Sequence, residues 1–188
     1  LFSWAGFAYA FKFLWSPLVD KISIPFFLNL GHRRSWLLLT QFLIIFSLVL
    51  TSVNDPQNNI IITAVCITLV AFFSATQDII IDAYRIESID KKLQGSLSSM
   101  YIAGYRIGML VGGAGSLWLA SYWGSENYEH DVWKKVYLSM SLLMFIGVVA
   151  NLISKEPKRK RNFTRTTNFL VKFFLSIMIS LLIFIYIY

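Results

Sequence analysis

Charge disappears from this chain for long stretches and returns in short ones. "WLLLTQFLIIFSLVLTSV" (36–53), "IIITAVCITLVAFFSATQ" (60–77), "VYLSMSLLMFIGVVANLIS" (136–154) and "FFLSIMISLLIFIYIY" (173–188) contain none at all. About 20 predominantly apolar residues wound as a helix cross the ~30 Å hydrocarbon core of a bilayer. The pattern predicts an all-α membrane protein of about six transmembrane helices, at 1–16, 36–53, 60–84, 96–121, 136–154 and 169–188. Composition disfavours the competing reading of buried helices in a soluble protein. Of 188 residues, 56% are hydrophobic and 14% charged, where a soluble domain carries roughly a quarter charged.

The linkers set the orientation. Those at 17–35, 85–95 and 155–168 hold Lys21, Arg33, Arg34, Arg85, Lys91, Lys92, Lys155, Lys158, Arg159, Lys160, Arg161 and Arg165, which is 12 of the 17 basic residues. The alternate linkers hold only Lys134 and Lys135. Such alternation places the basic linkers in the cytoplasm, and Tyr188 then ends outside. The net charge of +7 follows from the same asymmetry. "KEPKRKRNFTR" (155–165) has the composition of a nucleic-acid patch, but between two membrane helices it reads as a linker held to anionic lipid headgroups. No nucleic-acid partner is expected. The single cysteine, Cys66, excludes a disulfide framework. The chain opens on Leu1, without an initiating Met or a signal peptide, and is expected to be a piece of something longer.

Ionisable residues at membrane depth are costly and mark functional candidates. "SATQDIIIDAYRIE" (74–87) loads the end of an apolar helix with charge. Asp78, Asp82 and Arg85 share one face at i, i+4 and i+7. Arg85 marks the cytoplasmic end, and Asp78 lies roughly 10 Å further in. Lys12 in the first segment is again roughly 10 Å deep, and Arg106 in the fourth roughly 15 Å. Burial favours a protonated carboxyl and a nearby cation reverses this, so Asp78 opposite Lys12 or Arg106 would be a switchable acid of the kind a proton-coupled carrier needs. A permanent salt bridge between helices is the other reading, and the favoured one for Asp82 with Arg85. Tyr84, Tyr101 and Tyr105 add hydroxylated rings suited to sugars, though Tyr84 also fits an interfacial belt.

Gly104, Gly108 and Gly112 recur at i, i+4 and i+8, a stripe that lets another helix approach closely, for static packing or for sliding. His32 and His130 fall on opposite sides of the membrane, and no metal cluster, nucleophile set or phosphate-cradling loop can be assembled. No metal or cofactor is expected, and no enzyme.

The first cytoplasmic linker, "SPLVDKISIPFFLNLGHRRSW", resembles the loop between the second and third helices of major facilitator superfamily transporters. Asp20, Lys21, Gly31, Arg33 and Arg34 match that signature. Ser16 and Pro17 stand where its first glycine is usual, and the spacing from Asp to Gly is stretched. Together with "FKFLWSPLVD", "RRSWLLLTQ", "AFFSATQDIIIDAYRIE" and "YRIGMLVGGAG", the chain resembles the AmpG-type muropeptide permeases, most densely over about residues 4–123. Acetyl-CoA transporters, with a related "QD…D" helix, are a similar family and an alternative.

The resemblance implies part of the superfamily fold, matching helices two to seven. Residues 1–154 would form most of the N-terminal bundle as five helices, 155–168 a basic cytoplasmic linker, and 169–188 the first helix of the C-terminal bundle. It implies proton-coupled symport of N-acetylglucosaminyl-anhydro-N-acetylmuramyl peptides across the bacterial inner membrane, for peptidoglycan recycling. Lys12, Asp78, Asp82, Arg85, Tyr101, Tyr105 and Arg106 would serve substrate binding or proton coupling. Asp20, Lys21, Gly31, Arg33 and Arg34 would form a cytoplasmic latch. A truncated copy that does not transport alone, or a non-transporting membrane partner completed by a second polypeptide, are the remaining expectations.

Overall fold

The computed structural model describes residues 3–22, 24, 30–88, 91–124 and 128–157. The predicted helix at 169–188 and the linker residues 158–168 lie outside the described residues. Everything with regular structure among the described residues is helical. Three helices are each long and apolar enough to cross a membrane, with mean hydropathy 2.1 over an 18-residue stretch of each: α3 (His32–Val53), α4 (Ile60–Ser88) and α7 (His130–Ile153). Helix α4 has 29 residues, hence about 43 Å of length against a ~30 Å core. The surplus is its charged end, the stretch that carries Asp82, Arg85 and Glu87.

The first predicted segment is not one helix. It divides into α1 (Trp4–Ala10), a 3-10 turn (Lys12–Leu14) and α2 (Ser16–Lys21). Pro17 stands in the first turn of α2, where its missing N–H costs nothing, so helix resumes where a linker was expected and Asp20 is helical. The fourth segment, α5 (Gln94–Leu110) and α6 (Ser116–Trp123), is joined through a π-helical turn, Val111–Gly115. That widened turn falls on "VGGAG", and wide turns of this kind are inserted singly into helices.

Helix α3 packs between α4 and α7, α1 and α2 lie along α4, and α6 rests on α7. The buried face of α3 is rich in polar side chains: Ser35, Thr40, Gln41, Ser47, Thr51 and Ser52 lie inside beside Leu37, Leu38 and Ile44, while Phe42 and Phe46 face outward. So polar an interior beside exposed phenylalanines is unlike that of a soluble protein. In a membrane helices associate through small residues and close backbones, since lipid is as apolar as leucine. The buried hydroxyls stay satisfied by donating one turn back, as Ser47 does to Leu43 O at 2.8 Å and Thr51 to Ser47 O at 2.8 Å. On α4 the contact surface is alanine, Ala71 and Ala75 meeting Ala8 of α1. A second core joins Val19 of α2 to Leu37 of α3 and Ile80 of α4.

Helix α5 differs from the rest. None of its residues is buried, and a side chain added at Gly104, Gly108 or Gly112 would meet no atom within 4 Å. Among the described residues nothing packs on the glycine stripe.

Candidate functional site

Two charge clusters lie on this frame, one at membrane depth and one at the end where the basic linkers gather. The break in the first segment builds the deeper one. Because the chain leaves α-helical winding after Ala10, Lys12 turns onto α4, and its Nζ lies 2.7 Å from Asp78 Oδ2. Tyr101 of α5 donates its hydroxyl to the other oxygen, Asp78 Oδ1, at 3.0 Å. One carboxylate thereby joins three segments, with Lys12 and Asp78 a third and a quarter exposed. Arg85, two turns along α4, sits over the Tyr101 ring at 4.7 Å and pairs with Asp82 at 3.4 Å. Of the two cations expected opposite Asp78, the structure brings Lys12. Arg106 lies apart with Tyr105, on an open cavity of about 550 Å³ lined also by Ile102, Met109, Leu110 and Ala114.

The second cluster is centred on Arg33, which is 3% exposed. Its Nη1 reaches Asp20 Oδ1 at 2.6 Å, while Nε and Nη2 hold the two oxygens of Glu87 at 3.0 and 2.7 Å. The guanidinium fork matches a carboxylate in just this two-bond geometry. The Arg34 guanidinium donates to Asn151 O at 3.1 Å and Leu152 O at 2.8 Å, tying α3 to the end of α7. Lys21 ends α2.

Gly31 precedes α3 with φ 95, a left-handed conformation open to glycine. It serves a second purpose. A side chain there would collide with Glu156, whose carboxylate accepts the amides of Arg33 at 2.9 Å and Arg34 at 3.1 Å. The free N–H groups and positive pole of a helix start favour such an anion. Beside this junction Tyr84 donates to Lys155 O at 2.6 Å. An open cavity of about 950 Å³ runs between α4, α5 and the residues after α7, with Arg85, Glu87, Tyr101 and Lys155 on its wall.

Asp20, Gly31 and Arg33 stand out in the sequence as a motif, whereas the carboxylates that meet them, Glu87 and Glu156, do not. Glu87 is one of the charges that end α4, and its spacing alone does not mark it as a partner of Arg33. Glu156 was submerged in a basic run, and only its isolation there could have signalled it.

The whole chain, residues 1–188, matches the family model of the Major Facilitator Superfamily. A putative transporter AmpG 3 of Rickettsia prowazekii is 41% identical, over 90% of this chain and 38% of its own length. The putative transporter AmpG 3 of Rickettsia typhi is 39% identical over 90% of this chain and 39% of its own. The anhydromuropeptide permease of Escherichia coli is 38% identical over 83% of this chain and 30% of its own. The chain thus spans less than two fifths of the length of each of these relatives. No solved structure gives a significant match. The names of the relatives agree with the AmpG-type resemblance carried by the motifs. With apolar spanning helices, a polar packed interior and a family match along its full length, this multi-pass membrane protein belongs to the Major Facilitator Superfamily.

Proposed function

We propose that the chain supplies most of the N-terminal bundle of a proton-coupled muropeptide symporter of the bacterial inner membrane. The observation that carries this reading is the carboxylate of Asp78, held between an ammonium and a phenol from two other segments. Ionisable groups at that depth mark ion pathways, and a proton arriving on Asp78 would weaken its hold on both partners at once. The substrate class rests on the Escherichia coli relative, whose name specifies anhydromuropeptides. Such molecules carry carboxylates, and Arg106 on its open cavity is a cation of the matching sign. The cluster of Asp20, Arg33, Glu87 and Glu156 would be the cytoplasmic latch. Residues 155–168 would link the bundle to a second one that begins with 169–188.

The test is a chimera in which these residues replace the matching segment of the Escherichia coli permease. Uptake of a labelled anhydromuropeptide into proteoliposomes is measured with and without a proton gradient. Gradient-driven uptake that disappears in Asp78→Asn supports the reading. Uptake that Asp78→Asn leaves unchanged makes the pair with Lys12 structural, and no uptake at all defeats the substrate assignment.

A further inference from the structure

The ion pair of Lys12 with Asp78 depends on where the first segment breaks, and one residue at that break reaches Lys12, α4 and both cores. Trp15 closes the 3-10 turn: its amide donates to Lys12 O, so its backbone and that of Lys12 are fixed to each other. In a 3-10 turn residues three apart lie one above the other, and both side chains reach α4. The indole Nε1 donates to Thr76 Oγ1 at 3.1 Å, two residues before Asp78. Thr76 is 5% exposed and donates its hydroxyl to Phe72 O at 2.8 Å, leaving a lone pair for the indole. The Trp15 ring also leans on Phe72, with centroids 4.9 Å apart. It packs against both cores, the one joining α1 to α4 and the one joining α2 to α3 and α4.

We infer that Trp15, through its hydrogen bond to Thr76, is the positioning residue that sets Lys12 against Asp78. The physical reason is the flexibility of what it holds. Lysine ends in a compact charge on a long stem with several rotatable bonds, so the ammonium is placed only as well as the backbone beneath it. Helices on either side of residues 11–15 are of 7 and 6 residues, too short to hold a register alone. The indole N–H offers the break a directional contact to α4 besides the ion pair itself. The charged and titratable groups around Asp78 complete the setting: Lys12 with Tyr9 nearby on the first segment, Asp82 and Arg85 on α4, and Tyr101 on α5. Arg33 of α3 is engaged with Asp20 and Glu87. Trp15 changes none of these charges; it controls which of them Asp78 meets.

The inference deepens the coupling role proposed above, and its test does not need transport. The chain is reconstituted in lipid nanodiscs and treated with a hydrophobic carbodiimide; a carboxyl oxygen adds to its central carbon as a proton moves to its nitrogen, and the O-acylisourea rearranges to a stable N-acylurea. Labelling of Asp78 and Asp82 is followed by peptide mass, with Asp78→Asn as the blank. Trp15→Phe keeps an apolar ring and removes the donor, and Thr76→Val removes the acceptor without loss of bulk. Each is expected to raise the labelling rate of Asp78 several-fold and leave Asp82 unchanged. The double variant should add nothing further, and Thr76→Ser, which restores a hydroxyl, should label at the parent rate. Should Trp15→Phe fail to fold, the comparison of Thr76→Val with Thr76→Ser decides alone. Parent-rate labelling of Asp78 in Thr76→Val, or an equal rise at Asp82, overturns the inference. Failure of uptake in the chimera would end the transport reading and leave these rates as they are.

Discussion

Glu156 closes the N-terminus of α3 from 123 positions away in sequence, accepting the amide of Arg33 at 2.9 Å. The carboxylate fits because Gly31 has no side chain. Losing an anion that caps a helix start costs about 1 kcal/mol, up to about 2 where partly buried. Glu156→Ala is expected to destabilise the chain by about that amount. Gly31→Ala should cost more, because it strains the backbone and expels Glu156 together. The double variant should then be less destabilised than the two costs added, since the collision is gone. Denaturant unfolding in detergent measures all three.

Arg33 is enclosed with two carboxylates, and an ammonium cannot hold both oxygens of Glu87 while reaching Asp20. Arg33→Lys keeps the charge and should still cost about 2 kcal/mol or more, since buried groups lose their partners. Limited proteolysis at the end of α4 should accelerate in parallel. An unchanged digestion rate would show that charge alone suffices.

At the deeper pair, removing one partner leaves the other charge uncompensated. Lys12→Met is expected to destabilise by about 1–2 kcal/mol, below the range for fully buried pairs because both side chains remain partly exposed. Lys12→Met with Asp78→Asn should recover most of that loss. Thermal melts in nanodiscs make the comparison.

At the far end of the bundle, Tyr128 donates to Asp55 Oδ1 at 3.1 Å, strapping the loop before α7 to the one between α3 and α4. Burial and then the Asp55 carboxylate push the Tyr128 hydroxyl up to about 12. A value raised above the ordinary tyrosine range, about 10, means the strap contributes fully below about pH 10. That contribution is lost as pH rises from about 10 to about 12. Tyr128→Phe should remove one tyrosine from the alkaline end of the titration, and Asp55→Asn should lower the midpoint of that same tyrosine, identified as the difference from the Tyr128→Phe curve in phenolate absorbance.

The spans at α3, α4 and α7 were legible because a run without charge has one comfortable place to sit, and the resemblance pointed to the family. Asp20 and Arg33 were legible as a motif, and Lys12 with Asp78 as equals in depth. The break at residues 11–15 was not, because Trp, Phe and Leu suit a continuous helix and only Pro17 hinted at a restart. Partner choice was not legible either: Lys12 and Arg106 were both candidates for Asp78, and the break turned Lys12 onto it. Glu156 was hidden because a cap reached through the fold leaves no periodic trace.

The π turn at Val111–Gly115 gives the fourth span two phases on one axis. Such a turn accommodates one extra residue, and a residue on a helix is worth about 100° of rotation. The stacked rings of Trp118 and Tyr122, 5.7 Å apart, therefore look out on a different side of the bundle from the one an unbroken helix carrying Tyr101 would give them. Deleting Gly113 would swing that aromatic pair around the span without altering a single side chain.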